Sequence, residues 1–306
     1  PFKTLVRLNN KIMINRAAFE SLVSHLKSLG PFLFRPNSGN GGDAIIALAC
    51  MEMFDEMGLD WEVYTSKGYE NCKSVVYSGG ATFPQYFALA KFIAAHDDDL
   101  ESFTLMPHSF EGHEQLLANM DDRYHLFARE KTTYCYLEKV TGEAKIYLSH
   151  DVAFSLDVDS LNSFGSLPLF LPGQPINFHL QWFFKQFMLR RYLMSSSKER
   201  LFFRTDSEAS GEYNDLKGSV DLSRLIKGKM MTRKQVTGIA LAFLSVIKSC
   251  KRIKTDRLHV GIAAGLCDVS CQLYPGVNFK ISSIYEHSAK DLIPEVEMME
   301  HQKLTN

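Results

Sequence analysis

The side chains of this sequence best placed to do chemistry are Arg257 and His259, two residues apart in Lys254-Thr255-Asp256-Arg257-Leu258-His259. A guanidinium offers a rigid two-pronged fork to phosphate or carboxylate, and an imidazole carries a proton near neutrality. An earlier loop, Asn37-Ser38-Gly39-Asn40-Gly41-Gly42-Asp43, adds glycines that let backbone N–H groups approach a ligand where a helix begins. Both stretches lie where an apolar extended run gives way to a helix, the edge at which open α/β sheets bind ligands. The chemistry they suit is proton transfer on an anionic substrate.

Further candidates occupy similar positions. Ser78-Gly79-Gly80-Ala81 is a second glycine turn after a strand, and the plain alternative for it is a turn into a helix that Pro84 opens. Arg129 ends one apolar run and Arg204 another, so either could face a ligand or form a salt bridge. His108 and His113 flank a turn, and His150 and Asp151 follow a strand. Backbone or water partners are the commoner fate of such histidines, and the plain reading of His150 and Asp151 is that they cap a turn. Asp43 reads either as a helix-capping carboxylate or as a base favoured as an anion by the helix N-terminus. The first loop lacks Gly-Lys-Ser/Thr and the dinucleotide spacing, which excludes a P-loop and a dinucleotide fingerprint.

These residues need a scaffold, and the apolar pattern supplies one. Strand-length runs at Pro31–Arg35, Trp61–Tyr64, Ser74–Tyr77, Ser102–Met106, Tyr124–Ala128 and Lys145–Leu148 alternate with helical patterns at Asp43–Met57, Pro84–His96, Gly112–Met120 and Glu130–Val140. Such alternation predicts a largely parallel sheet, with an extra amphipathic helix over Asn15–Lys27. Prolines and glycines between Leu161 and Pro175 break the pattern. It then resumes with strands at Arg200–Arg204, Arg252–Thr255 and Val269–Leu273 and helices at Thr232–Cys250, Arg257–Leu266 and Phe279–Tyr285. The expected division is an N-terminal Rossmann-like domain over 1–160, a crossover linker and aromatic helix over 161–195, and a C-terminal Rossmann-like domain with a tail over 196–306.

The chain has 306 residues, 45% apolar and 23% charged, with 34 basic against 35 acidic side chains. A net charge of -1 offers no global attraction for nucleic acid, so any anion site must be local. The six cysteines lack metal-ligand spacing and read as reduced, packed thiols, with no metal expected. Pro1–Asn15 has no apolar core of signal-peptide length and no window reaches about eighteen apolar residues, which points to the cytoplasm. Residues 176–194 set Phe178, Trp182, Phe183, Phe184, Phe187 and Tyr192 beside Lys185, Arg190 and Arg191. That composition fits either core packing or a helix resting on the inner face of the cytoplasmic membrane.

Taken in order, these marks resemble the polysaccharide pyruvyl transferase family, which has a Gly-Asn-x-Gly-Asp loop, a glycine pair after a strand and a late Thr-Asp-Arg-Leu-His motif. Here they are Gly39 to Asp43, Gly79-Gly80 and Thr255 to His259. Phe127-Ala128-Arg129-Glu130 resembles the family's arginine-bearing strand end, and Ser149 to Phe154 its Asp-Pro-Ala-Phe-like segment, with Val152 in place of the proline. The resemblance covers about Pro31 to His287. It implies a fold like that of B-type glycosyltransferases, two Rossmann-like domains facing across a cleft. The activity it implies moves the enolpyruvyl unit of phosphoenolpyruvate onto two hydroxyls of a sugar, in a surface polysaccharide or its lipid-linked precursor. No cofactor is implied beyond the donor.

On that reading Arg129 and Arg257, with Leu258, Asn40, Gly41, Gly79 and Gly80, hold the donor. His259 delivers a proton to the methylene carbon and Asp43 serves as base or orienter for the sugar hydroxyl. His108, Arg204 and Asp151 are secondary candidates. Two rival readings stay open: a B-type glycosyltransferase using a nucleotide sugar, and a non-catalytic carbohydrate-binding protein of the same fold.

Overall fold

A computed structural model of the chain describes residues 16–84, 87–161, 167–194, 199–206, 208, 209, 213 and 216–300. The sequence readings of Pro1–Asn15, of Gly165 and of the C-terminal tail fall outside these. The described strands are β1 (Phe32–Arg35), β2 (Gly39–Asn40), β3 (Trp61–Val63), β4 (Ser74–Tyr77), β5 (Gly80–Thr82), β6 (Ser102–Phe110), β7 (Tyr124–Ala128), β8 (Lys145–Leu148), β9 (Glu199–Phe202), β10 (Lys227–Gly228), β11 (Arg252–Thr255), β12 (Ser270–Leu273) and β13 (Val296–Met298). The main helices are α1 (Arg16–Ser28), α2 (Gly41–Glu56), α3 (Ser66–Asn71), α4 (Ala88–Ala94), α5 (Glu114–Ala118), α6 (Lys131–Val140), α7 (Ile176–Leu193), α8 (Leu222–Leu225), α9 (Arg233–Lys248) and α10 (Leu258–Leu266).

The chain forms two compact units, one of Pro1–Asn37 with Ala49–Ser155 and the other of Ser38–Leu48 with Leu156–Asn306. The glycine loop and the first two turns of α2 therefore group with the C-terminal part of the chain. In the first unit a parallel sheet runs β3-β1-β4-β6-β7-β8, with β5 pairing the end of β6. Its central strands are apolar on both faces, as a sheet covered by helices on both sides requires. On one side Phe54 of α2 meets Phe32 and Phe34 edge-on. On the other, Phe92, Leu117 and Leu137 of α4, α5 and α6 pack on Phe103, Leu105 and Leu126.

In the second unit the order is β13-β12-β11-β9, again all parallel. The buried side of α9 and the almost wholly apolar α10 belong to this unit. Gly265 lets α10 approach Ile293, whose side chain a Cβ would meet at 2.5 Å. A two-stranded antiparallel ribbon, β10 with β2, ties the glycine loop to this unit.

Besides a shorter helix, Ala88–Ala94 where Pro84–His96 was expected, three details depart from the sequence reading. The strand expected over Ser102–Met106 continues to Phe110 and takes His108 into the sheet, because a register shift between Leu105 and His108 accommodates Pro107, which has no N–H to give the ladder. The helix expected from Gly112 begins at Glu114, since Gly112 and His113 both have left-handed backbones, φ 75° and 63°. Finally, Cys135 is exposed and so is no packed thiol, unlike Cys50, Cys250, Cys267 and Cys271.

Candidate functional site

In the second unit the glycine loop and the late motif meet. Asn40 caps α2, its Oδ1 accepting from the Gly42 amide at 2.8 Å, while Asp43 Oδ2 accepts from the Asn40 amide at 2.9 Å. This reciprocal capping box satisfies donors that the helix start would otherwise leave open. Each glycine has a neighbour in the space a side chain would fill. A Cβ on Gly39 would overlap the Asp43 carboxylate, and one on Gly41 would overlap the buried ring of Phe243 in α9. One on Gly42 would lie 2.9 Å from both Cβ and Nδ1 of His259, and 3.0 Å from Asn40 Oδ1. The absent side chain is what lets the first turn of α2 rest against His259, in the first turn of α10.

The approach to α10 is held by the motif itself. Thr255 Oγ1 donates to the Phe202 carbonyl at 2.6 Å and accepts from the Arg257 amide at 3.0 Å. Asp256 is 1% exposed, and its Oδ1 accepts the Arg204 amide at 2.8 Å. Burial pushes its carboxyl up to about 6, against the opposing pull of the Arg204 amide and the charges of Arg204 and Arg257.

Around Asp256 lies a dense ionic network. Arg204 donates through Nε to Asp206 at 2.8 Å and through one terminal nitrogen to Glu208 at 2.6 Å. Arg257 reaches Asp221 at 2.5 Å and Asp206 at 2.8 Å through a single terminal nitrogen. Lys280 Nζ lies 2.9 Å from Glu208. Burial alone would raise Asp206, but the Arg204 hydrogen bond and the Arg257 charge hold it below the usual carboxylate range. The Nε atom of Arg257 is buried and has no hydrogen-bond partner among the described residues.

The first unit presents its own row of polar groups at the carboxyl ends of β1, β4, β6, β7 and β8. Asn37 Nδ2 donates to the Gly79 carbonyl at 2.9 Å. Gly80 sits at φ 149°, and a Cβ there would come within 3.1 Å of Asn37 Nδ2, so a glycine at position 80 is favoured both by backbone conformation and by close approach. His108 is 2% exposed and pairs its Nε2 with Thr82 Oγ1 at 2.9 Å. It is a residue within the sheet, not the turn residue that the sequence suggested.

Arg129 is also buried, 1% exposed, and of the two sequence readings the structure shows the salt bridge. Its Nε donates to Ser109 at 2.9 Å and a terminal nitrogen to Asp151 at 2.7 Å. Asp151 also accepts the Ala153 amide at 2.9 Å through its other oxygen. The plain readings of Asp151 as turn cap and of His113 as backbone-satisfied both describe what is found, His113 Nε2 lying 2.9 Å from the Phe83 carbonyl.

Of the residues singled out from sequence, Asn40, Gly41, Asp43, Arg204, Arg257, Leu258 and His259 lie in the second unit, and Gly79, Gly80, His108, Arg129 and Asp151 in the first. The sequence reading missed Asp206, Glu208 and Asp221, the partners of Arg204 and Arg257, and Lys280, which pairs with Glu208. Only Asp221 carried a signal, an aspartate directly before Leu222-Ser223-Arg224-Leu225, whose helix it caps by accepting the Arg224 amide at 3.4 Å.

Residues 40–271 match the model of the polysaccharide pyruvyl transferase family. No curated protein matches the chain. Among solved structures, an uncharacterised protein of Klebsiella pneumoniae is similar, with a TM-score of 0.71 and 21% identity over 94% of this chain and 100% of that one. At that identity the likeness concerns the fold.

Proposed function

We propose, on the premise that the chain belongs to the polysaccharide pyruvyl transferase family, that it moves the enolpyruvyl unit of phosphoenolpyruvate onto two hydroxyls of one sugar, forming a pyruvate ketal and releasing phosphate. The observation that carries this reading is the meeting of the glycine loop and the late motif: Gly42 against His259, two residues from an arginine whose buried Nε has no acceptor among the described residues. A buried N–H without a partner costs about 1–3 kcal/mol, which a bound anion would remove.

In the second unit, Arg257, Leu258, Asn40 and Gly41 are assigned to the anionic donor. His259 delivers a proton to the methylene carbon, and the neighbouring carbon, gaining cationic character, takes the first sugar hydroxyl. Phosphate then leaves and the second hydroxyl closes the ketal. Asp43, with one oxygen engaged by the Asn40 amide, receives or orients the hydroxyl proton. The B-type glycosyltransferase likeness and a lipid-linked acceptor belong to this proposal as well.

The test is incubation with phosphoenolpyruvate and candidate galactosides or mannosides. The expected result is phosphate release matched by a sugar mass gain of pyruvate less one water. His259→Ala should lose most turnover, while Arg257→Lys should raise the donor concentration required. Stabilisation by nucleotide sugars and not by phosphoenolpyruvate would favour the glycosyltransferase reading instead.

A further inference from the structure

The face of α7 turned away from its own unit is apolar where solvent-facing helices are polar. Trp182, Gln186 and Leu189 are buried, and Trp182 Nε1 donates to the Pro168 carbonyl at 2.9 Å, so one side of the helix is packed. On the opposite side Leu180, Phe183, Phe184, Phe187 and Met188 are each 60–69% exposed, and Phe170, from the loop before the helix, is 68% exposed. Positions 180, 183, 184, 187 and 188 follow the three- and four-residue spacing of a single helical stripe. Scattered apolar residues on a surface need no explanation, but a contiguous stripe of aromatic side chains marks an interaction site.

Charge selects the occupant. Between Leu167 and Met194 there is no aspartate or glutamate, whereas Lys185, Arg190 and Arg191 supply three cations in a chain whose net charge is -1. A second copy docking stripe to stripe would set the arginines of one α7 against a segment, 167–194, that carries no carboxylate. An anionic lipid surface provides both an apolar interior for the phenylalanines and negative headgroups for the arginines. No helix among the described residues is long and apolar enough to cross a membrane, so α7 can lie on the surface but not span it.

We infer that the exposed face of α7 docks the protein onto a membrane rich in anionic lipid. The inference stands on this surface alone and is independent of the reaction proposed above.

The experiment is co-sedimentation of the full chain with vesicles of phosphatidylcholine alone and of phosphatidylcholine mixed with phosphatidylglycerol. Wild type should pellet with the mixed vesicles and be released as salt screens the arginines. A Phe183→Ser, Phe184→Ser, Phe187→Ser variant and an Arg190→Glu, Arg191→Glu variant should each partition about tenfold more weakly or worse, given roughly 1 kcal/mol per basic residue near an anionic surface. Both sets are exposed and, among the described residues, only Arg190 holds the fold, through one bond to the Leu167 carbonyl at 3.1 Å, so melting temperatures should fall by no more than a few degrees. The inference is overturned if wild type ignores mixed vesicles, binds neutral ones equally well, or self-associates through this face so that the serine variant turns a dimer into a monomer.

Discussion

Gly42→Ala separates the job of the glycine loop in positioning His259 from its job in stability. Alanine gains about 1 kcal/mol over glycine in a helix, so propensity alone favours the change. The new methyl carbon would sit 2.9 Å from Cβ and Nδ1 of His259. Carbon contacts relax near 3.5–4.0 Å, so the histidine or the helix start must yield by roughly 0.7 Å. Overpacking of that kind costs about 1–3 kcal/mol, leaving a net loss of about 0–2 kcal/mol. For a chain of this size that lowers the melting temperature by less than about 8 °C. Misplacing a catalytic group by something approaching 1 Å costs about 10²-fold in rate, so the proton-delivery role proposed for His259 predicts that turnover falls far out of proportion to stability. Gly41→Ala is the counterpart, because its methyl group would overlap Phe243, which is 0% exposed and cannot swing aside. That variant should lose stability heavily without any specific effect on His259. The assays are denaturant melts, phosphate release from phosphoenolpyruvate, and the His259 ring resonances in NMR. A Gly42→Ala protein with normal turnover and unshifted His259 signals would refute the reasoning.

Asp256 is ionised less readily folded than unfolded, about 6 against 3.8, so its contribution to stability is intact below pH 4 and declines as pH rises toward 6. Asp256→Asn keeps an oxygen for the Arg204 amide and should melt several degrees above wild type at pH 8 but not at pH 4; a lower melting point at both would contradict this. Asp151→Ala strands the buried Arg129 guanidinium and should cost about 3–5 kcal/mol, or roughly 10 °C in a thermal melt, whereas a loss under 1 kcal/mol would show the pair to be expendable. Burial, then the charges of His125 and Lys145, lower His25 to about 4 from 6.5. The unfolded chain therefore takes up a proton first, and stability should drop as pH falls from 6.5 to 4. His25→Gln, which can still bond Thr104, should flatten that part of a pH-stability curve.

Much of the architecture was legible because parallel strands buried on both faces must be short apolar runs. Ser74–Tyr77 and Tyr124–Ala128 carry that signature, and the structure gives strands with these same bounds. The ribbon of Gly39–Asn40 with Lys227–Gly228 was invisible, since two residues have no periodicity and their partners lie far apart in the chain. Pro107 hid the second half of β6 for the opposite reason: it ends most strands, and only the register shift lets this one continue. The site divides the same way. Glycine-rich composition announces that something approaches closely at Gly41 and Gly42, but it cannot say that the neighbours are Phe243 and His259.

The acidic partners matter most for the chemistry, and they revise what Arg257 can do. Read from sequence, it offers a complete fork to the donor. In the structure one terminal nitrogen already serves both Asp206 and Asp221, while the buried Nε has no acceptor among the described residues. Charge-assisted hydrogen bonds are about twice as strong as neutral ones, so even one such bond to a phosphate or carboxylate oxygen contributes to affinity and orientation. Replacement by lysine keeps a cation able to pair Asp206 and Asp221 but removes Nε. The predicted effect of Arg257→Lys on donor affinity therefore arises from the loss of that one N–H, with the ionic scaffold around Asp221 left standing. A collapse in thermal stability with this variant would instead assign Arg257 to the scaffold.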